Sequence, residues 1–141
     1  MSTASDPLTN VIMQVQYFEN VAQSLQQRFN YVEATIAELQ VALNTISEIS
    51  KESGGADILV PVGAGSYLRA KAADVEKLIV GIGADVAVEK TVKEATDAYQ
   101  IRIDELRKVR ESLGQDIERV AMGLSKARQE LETLTRKSEG K

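Results

Sequence analysis

The side chains that most often carry out catalysis at neutral pH are missing from this 141-residue sequence. It contains no histidine and no cysteine, so the usual general base, the nucleophilic thiol and the soft metal ligands are absent. A metal site would need carboxylates alone. The acidic residues mostly lie beside lysine or arginine at outward helical positions, as Glu105 lies near Lys108, which is typical of a solvated helix face. We therefore expect no enzyme, no catalytic residue, no metal site and no cofactor.

Two Gly-X-Gly pieces are the sequences that most resemble a phosphate-binding loop. They are Gly63-Ala64-Gly65 and Gly81-Ile82-Gly83. Neither has a third glycine at the dinucleotide-binding spacing, and no P-loop lysine follows either one. Tight turns account for these glycines, because glycine adopts backbone conformations that other residues avoid.

The charge distribution argues against a nucleic-acid partner. The net charge is −4, divided as −4 over residues 1–53, −1 over 54–91 and +1 over 92–141. No segment has the dense positive field that a phosphate backbone requires. The sequence also shows no signal peptide and no apolar stretch of about eighteen residues that could span a membrane. We expect a cytoplasmic protein that binds neither nucleic acid nor membrane.

Two long runs of apolar residues, spaced alternately by three and four, occupy most of the chain. Such a stripe is removed from water only when the helix packs against another helix. The first run is Leu8, Val11, Val15, Phe18, Ala22, Leu25, Phe29, Val32, Ile36, Leu39, Leu43 and Ile46. The second is Val92, Thr96, Tyr99, Ile103, Leu106, Arg110, Leu113, Ile117, Val120, Leu124, Ala127, Leu131 and Leu134. The sequence thus predicts two long coiled-coil helices.

The two stripes come into antiparallel register when paired residue numbers sum to about 145 or 146. Leu39 then faces Leu106, and Phe18 meets Ala127, so that a large residue lies opposite a small one as a filled seam requires. This complementarity favours a hairpin within one chain over the alternative, a parallel homodimer. Arg110 is the charged exception on the stripe. It can direct its head to water while its stem packs, or it can lock the register or contact another chain.

About forty residues between the helices have a different character. Short runs rich in β-branched residues alternate with glycine-bearing turns, which predicts four strands in two successive β-hairpins. Pro61 cannot donate to a strand ladder, so we expect an edge or a bulge there. The helix stop predicted at Ser53-Gly54-Gly55 divides the chain into an N-terminal helix at 1–53, a double hairpin at 54–91 and a C-terminal helix at 92–141.

Alternation along the predicted strands places apolar side chains on one face. Four short strands are too few to close a barrel, and open edges with a bare apolar face are usually removed by pairing or closure. We therefore expect the hairpins to form an assembly platform that joins strands from other chains. The platform residues are Ile58, Val60, Val62, Leu78, Val80, Ile82, Val86 and Val88.

The chain ends of the two helices carry apolar residues beyond those that a seam needs. Ile12 and Met13 lie off the stripe in the first helix, and Met122 lies off it in the second. Extra aliphatic and thioether surface near a free end suggests an adaptable binding tip. The alternative is ordinary scattered apolar residues on a protein surface.

The sequence of the hairpins resembles that of prefoldin α subunits of the archaeal type. The resemblance lies in ILVPVGAGSY at residues 58–67, DVEKLIVGIG at 74–83 and VEKT at 88–91. The double hairpin also resembles the α class, since β-class subunits have one hairpin. By architecture the similarity covers the whole chain. It implies an α+β fold in which a long antiparallel two-helix coiled coil carries two inserted β-hairpins that join an intersubunit β-barrel.

The resemblance also implies partners and a function. Members of this family form hexamers of two α and four β subunits, capture unfolded polypeptides with the coiled-coil tips, and pass them to a group II chaperonin without nucleotide. By position, the client-binding tip would comprise Leu8, Val11, Ile12, Met13, Val15, Leu131 and Leu134. The alternative is a structural or adaptor coiled coil that binds one specific folded partner.

Overall fold

A computed structural model describes residues 6–52, 55–73 and 75–140. Two long helices enclose two β-hairpins in the chain order, which confirms the predicted fold class. The elements are α1 (Pro7–Ser50), β1 (Asp57–Gly63), β2 (Ser66–Lys71), β3 (Lys77–Gly83), β4 (Val86–Thr91) and α2 (Val92–Glu139). Of the helix stop predicted at Ser53-Gly54-Gly55, Ser53 and Gly54 lie outside the described residues, as does Asp74 of the second family motif. Gly55 has a positive φ of 97° and follows the end of α1 at Ser50.

Both helices begin at side-chain caps that the local sequence supplies. Asp6 accepts hydrogen bonds from the Leu8 N–H at 3.2 Å and the Thr9 hydroxyl at 2.9 Å, and Pro7 occupies the first helical position, where its missing N–H costs nothing. Thr91 accepts a hydrogen bond from the Glu94 N–H at 3.1 Å. Because Thr91 is also the last residue of β4, strand and helix follow one another without a loop.

Each hairpin closes with a two-residue turn of positive φ preceded by a glycine bulge. The turn residues are Ala64 and Gly65 in the first hairpin and Ala84 and Asp85 in the second, as a type I′ turn requires. The strand register shifts between Pro61 and Gly63, and likewise between Gly81 and Gly83. A bulge was predicted at Pro61. Because the second hairpin bulges equally without a proline, the cause is the glycine before the turn, which has φ near 108° in both hairpins.

The described residues form two compact units. The first combines the residues up to Ala34 with those from Arg107 onward. Its core is a cluster of the buried Val11, Val15 and Ala127, against which Phe18, Leu124, Leu131 and Leu134 pack. Two ion pairs join the helices across this unit: Glu19 with Arg128 at 3.0 Å and Glu33 with Arg110 at 2.9 Å. From the first pair to the second, the residue number rises in α1 and falls in α2. The helices here are therefore antiparallel, as predicted.

The second unit is Thr35–Leu106 and contains both hairpins. Ile103 is completely buried, and Ile36, Leu43, Ala95 and Leu106 complete the set of buried helical side chains in this unit. Ala95 was not on the predicted stripe, which placed Thr96 in the seam. Since the small alanine is the more deeply buried of the two, the buried position at this end of the seam is shifted by one residue from the prediction.

Within this unit, backbone hydrogen bonds fasten the base of each hairpin. The Ala72 N–H donates to the Ala56 carbonyl at 2.9 Å, and the Val92 N–H donates to the Glu76 carbonyl at 3.0 Å. Over the described residues, β1 pairs only with β2 and β3 only with β4, so each hairpin is a separate two-stranded sheet. Two-stranded sheets have open edges on both sides and are marginal alone.

Candidate functional site

The described part of the chain contains no cluster of three or more histidine, cysteine, aspartate or glutamate side chains placed to hold a metal ion. None of its helices combines the length and the apolar character that crossing a membrane requires. The features that stand out instead are apolar side chains that face solvent, which occur along both helices and in the hairpins. Two groups of them coincide with predicted sites, one at the start of α1 and the other in the pair of hairpins.

At the start of α1, exposed and buried apolar side chains alternate within two helical turns. Val11 and Val15 are buried against α2, whereas Ile12 is 40% exposed and Met13 is 61% exposed. The α-helical repeat explains this, because residues four apart share a face and their immediate neighbours turn away from it. We call Ile12 and Met13 the tip surface.

The remaining predicted tip residues have a supporting position. Leu131 and Leu134 are half-buried and pack against the Val11–Val15–Ala127 cluster, and Leu8 is half-buried one turn earlier. The prediction treated all seven residues alike, but the structure separates them. Val11 and Val15 cannot be reached by a client while the helices are paired, since both lie in the seam that joins α1 to α2. They hold the tip surface in place.

The predicted platform residues outside the bulges fall on a common face within each hairpin. In an antiparallel pair, directly opposed residues point to the same side. Val60 lies opposite Leu68, and Val80 lies opposite Val88, whereas Val62 and Ile82 lie in the bulges and have no opposed residue. Among the predicted platform residues Ile58, Leu78, Val80 and Val88 are half-buried, and Val60, Val62, Ile82 and Val86 are exposed.

Sequence reasoning missed the contribution of β2 and the opposite face of the hairpins. Leu68 lies on the platform face of the first hairpin, opposite Val60. The alternation of Tyr67 with Leu68 in the sequence could have predicted this position. On the other face, Leu59 and Tyr67 are exposed, and Ile79 is 83% exposed. Each hairpin thus presents apolar side chains on both sides, which is more than a sheet packed on one face needs.

Two comparisons by sequence identify relatives along nearly the whole chain. Residues 18–137 match the family model described as "Prefoldin subunit". Prefoldin subunit alpha of Methanosarcina mazei is 32% identical over 127 residues, which cover 88% of this chain and 89% of that protein. Prefoldin subunit alpha of Methanosarcina barkeri is 30% identical over 142 residues, which cover 99% of each. Prefoldin subunit alpha of Methanopyrus kandleri is 43% identical over a shorter stretch of 79 residues.

A solved structure agrees with these relatives in fold. The cryo-EM structure of filamentous PFD from Methanocaldococcus jannaschii superposes with a TM-score of 0.70, covering 84% of this chain and 98% of that chain at 24% identity. At that identity the likeness speaks for the fold alone. With the family match and two relatives of nearly full coverage, it confirms the resemblance seen in the hairpin motifs: this chain belongs to the prefoldin family.

Proposed function

We propose that this chain is an α subunit of an ATP-independent holding chaperone, which captures unfolded proteins and passes them to a group II chaperonin. The observation that carries the proposal is the tip surface. Ile12 and Met13 are exposed on a helix whose neighbouring seam residues are buried and fixed. Apolar side chains that adjoin one another on a surface, unlike apolar residues scattered singly, mark interaction sites.

The chemistry of the tip surface suits partners of many sequences. Methionine is unbranched and polarizable, so it adapts to irregular apolar surfaces, and isoleucine adds area without polar groups. Each aliphatic side chain contributes roughly 1.5–3 kcal/mol when fully covered, and less under a loosely bound chain. Useful affinity would therefore come from several tips acting together, because linked weak sites reinforce one another.

Assembly of several subunits into one complex would bring several tips together. We propose that the platform faces of the hairpins join strands of partner β subunits in a shared barrel, giving a hexamer of two α and four β subunits. The open strand edges and the exposed Val62, Ile82 and Val86 support this, since pairing covers both. Residues 54–91 would be the assembly segment, between helical segments 1–53 and 92–141. We propose a cytoplasmic complex with neither nucleic acid nor membrane as a partner.

The direct test is suppression of aggregation. A chemically denatured protein is diluted, without nucleotide, into buffer that contains the chain alone, a candidate β subunit alone, or both. The proposal predicts that light scattering falls most for the mixture, and that added ATP changes nothing. Unchanged scattering with the assembled mixture would contradict the holding function. Together with stoichiometric binding of one folded protein, it would favour an adaptor.

A further inference from the structure

One face of α1 in the first unit has almost no charge. Between Ile12 and Val32 the only charged residues are Glu19 and Arg28, whereas twenty of the 48 residues of α2 are charged. The Glu19 carboxylate is bound by Arg128 of α2 at 3.0 Å, so it is directed toward the other helix. From Ile12 to Gln27 the outward face of α1 therefore carries no charge over about four helical turns, and the exposed Arg28 follows beside Tyr31.

A second, exposed stripe runs along that face. Its members are spaced alternately by four and three residues, which keeps them in line on a helix, and all of them are exposed. They are Met13, Tyr17, Asn20, Ser24, Gln27 and Tyr31. We call this set the α1 outer stripe. Tyr17 is 63% exposed and Tyr31 is 74% exposed, so two aromatic rings stand out from a row of small and neutral polar side chains.

The surface beside Tyr31 is concave. A groove of ≈ 270 Å³ is lined by Gln27, Arg28, Tyr31 and Val32 of α1 and by Val109 and Leu113 of α2. Its floor is apolar, because it is formed by Val32 and Leu113, which are buried seam residues. Val109 adds a further apolar side chain that is partly exposed. An aliphatic or aromatic side chain could be received there.

We propose that the α1 outer stripe binds an extended, uncharged apolar or aromatic segment of an unfolded polypeptide, continuing from the tip surface to the groove at Tyr31. This inference rests on the proposed holding function and extends its binding surface. The distance from Tyr17 to Tyr31 is about 21 Å along the helix, at ~1.5 Å per residue. About six residues of an extended chain cover that distance, at ~3.3 Å each.

The composition of the stripe favours this occupant over a second copy of the chain. A permanent helix partner needs a continuous apolar seam, but three successive positions between the tyrosines are polar: Asn20, Ser24 and Gln27. The combination of aromatic anchors with serine, asparagine and glutamine instead resembles surfaces that accommodate varied ligands, where rigid rings supply area and small amides adapt their hydrogen bonds. The stripe itself carries no charge, which matches a neutral segment, and the Arg28 guanidinium beside the groove disfavours a positively charged one.

Photo-crosslinking in the assembled complex tests the placement. Tyr31, Ile12 and, as an exposed apolar control on α2, Ile101, which is 60% exposed, are each replaced by p-benzoyl-L-phenylalanine. The probe is reduced, carboxymethylated α-lactalbumin, which stays unfolded without denaturant. The proposal predicts adducts with the probe at 31 and at 12, and at least fivefold fewer at 101. Adducts at 12 but not at 31 would overturn the outer stripe and leave the holding function standing. Adducts at neither would overturn both.

Two further results distinguish an unfolded polypeptide from another subunit as the molecule that contacts the α1 outer stripe. Crosslinks from position 31 to another subunit, in place of the probe, would assign the stripe to the assembly and overturn the proposal. In binding titrations, Tyr17→Ser with Tyr31→Ser should weaken the probe's Kd by about fivefold, which is ~1 kcal/mol, while Ile101→Ser leaves it unchanged. An unchanged Kd in the double variant would also overturn the proposal.

Discussion

The ring of Phe18 in α1 lies directly over Gly123 in α2. A Cβ added to Gly123 would come within 2.9 Å of the Phe18 Cζ atom and 3.0 Å of Cε1. Phe29, the chain's other phenylalanine, makes a similar but more distant contact, since a Cβ at Gly114 would lie 4.0 Å from its Cε2 atom. Both glycines within α2 thus lie beneath phenylalanine rings, and the pairs Phe18–Gly123 and Phe29–Gly114 keep the helices in register.

These two glycines form a matched pair for measuring the contact. In an ordinary helix interior, glycine to alanine stabilises by about 1 kcal/mol. We expect that gain for Gly114→Ala, because its Cβ meets Phe29 at an ordinary contact distance. Gly123→Ala should instead destabilise by about 1 kcal/mol or more, since the Phe18 ring must move. Urea unfolding followed by circular dichroism gives both values, and Phe18→Leu should relieve the cost at Gly123. Equal increases in the free energy of unfolding at both sites would contradict this prediction, because they would show that the Phe18 ring moves aside without cost.

The ion pair of Arg110 with Glu33 should matter little to stability. Both side chains are partly exposed, and such pairs contribute about 0–1 kcal/mol. We expect Arg110→Leu to be neutral or stabilising, because it restores an apolar residue to the seam. Arg110→Ala should cost more than Glu33→Gln, since only the former removes the packed stem. A loss above about 2 kcal/mol for Glu33→Gln would instead assign Glu33 a structural role through this pair.

The turn of the second hairpin offers a test of the glycine bulge. Gly81 and Gly83 both have open space where a Cβ would point, but only Gly83 has a positive φ, of 108°. Gly83→Ala should therefore destabilise the hairpin by at least about 1 kcal/mol, whereas Gly81→Ala should be neutral or favourable in a strand. Hydrogen exchange of the Val80 and Val88 amides reports the difference. Identical exchange rates in the two variants would contradict the claim that the positive φ of Gly83 makes the alanine substitution destabilising.

Periodicity predicted the elements of this fold well because each depends on nearest neighbours along the chain. Positions of the turns at Ala64-Gly65 and Ala84-Asp85 follow from local glycine patterns, and the helices follow from their stripes. The stripe could not show that Gly123 lies beneath Phe18, because a glycine has no apolar side chain to mark it. That contact depends on the distance between two helices, which no single-helix pattern contains.

The candidate tip was harder to predict for a related reason. Apolar character alone does not separate Val11 from Ile12, and both were assigned to client binding. Their difference in exposure follows from the α-helical repeat, which places Val11 in the seam and turns Ile12 away from it. Likewise, the exposed Tyr17 and Tyr31 went unnoticed because tyrosine on a helix surface is an ordinary sequence feature.

Assembly through the platform faces can be tested with a pair of opposite-facing residues on one strand. Val80 is half-buried on the platform face, and its neighbour Ile79 is exposed on the other face. Val80→Asp should abolish the hexamer while helicity is retained, because an unpaired charge would enter a shared apolar core. Ile79→Asp carries the same charge and should still assemble. Size-exclusion chromatography with light scattering, in the presence of the β partner, distinguishes them. If both variants formed hexamers equally, the platform assignment would be wrong.

The central claim is that exposed apolar side chains at the start of α1 hold unfolded protein. Substitution tests it better than truncation, because deleting this segment would also remove the buried Val11 and Val15 from the seam. The measurement is aggregation suppression by complexes whose β tips have been deleted, so that the α tips alone remain. Ile12→Ser with Met13→Ser should remove most of the protection against aggregation while hexamers persist, and Ile101→Ser, at an exposed apolar residue away from the tip, should remove none. Full protection by intact hexamers of the Ile12 and Met13 variant would contradict the account.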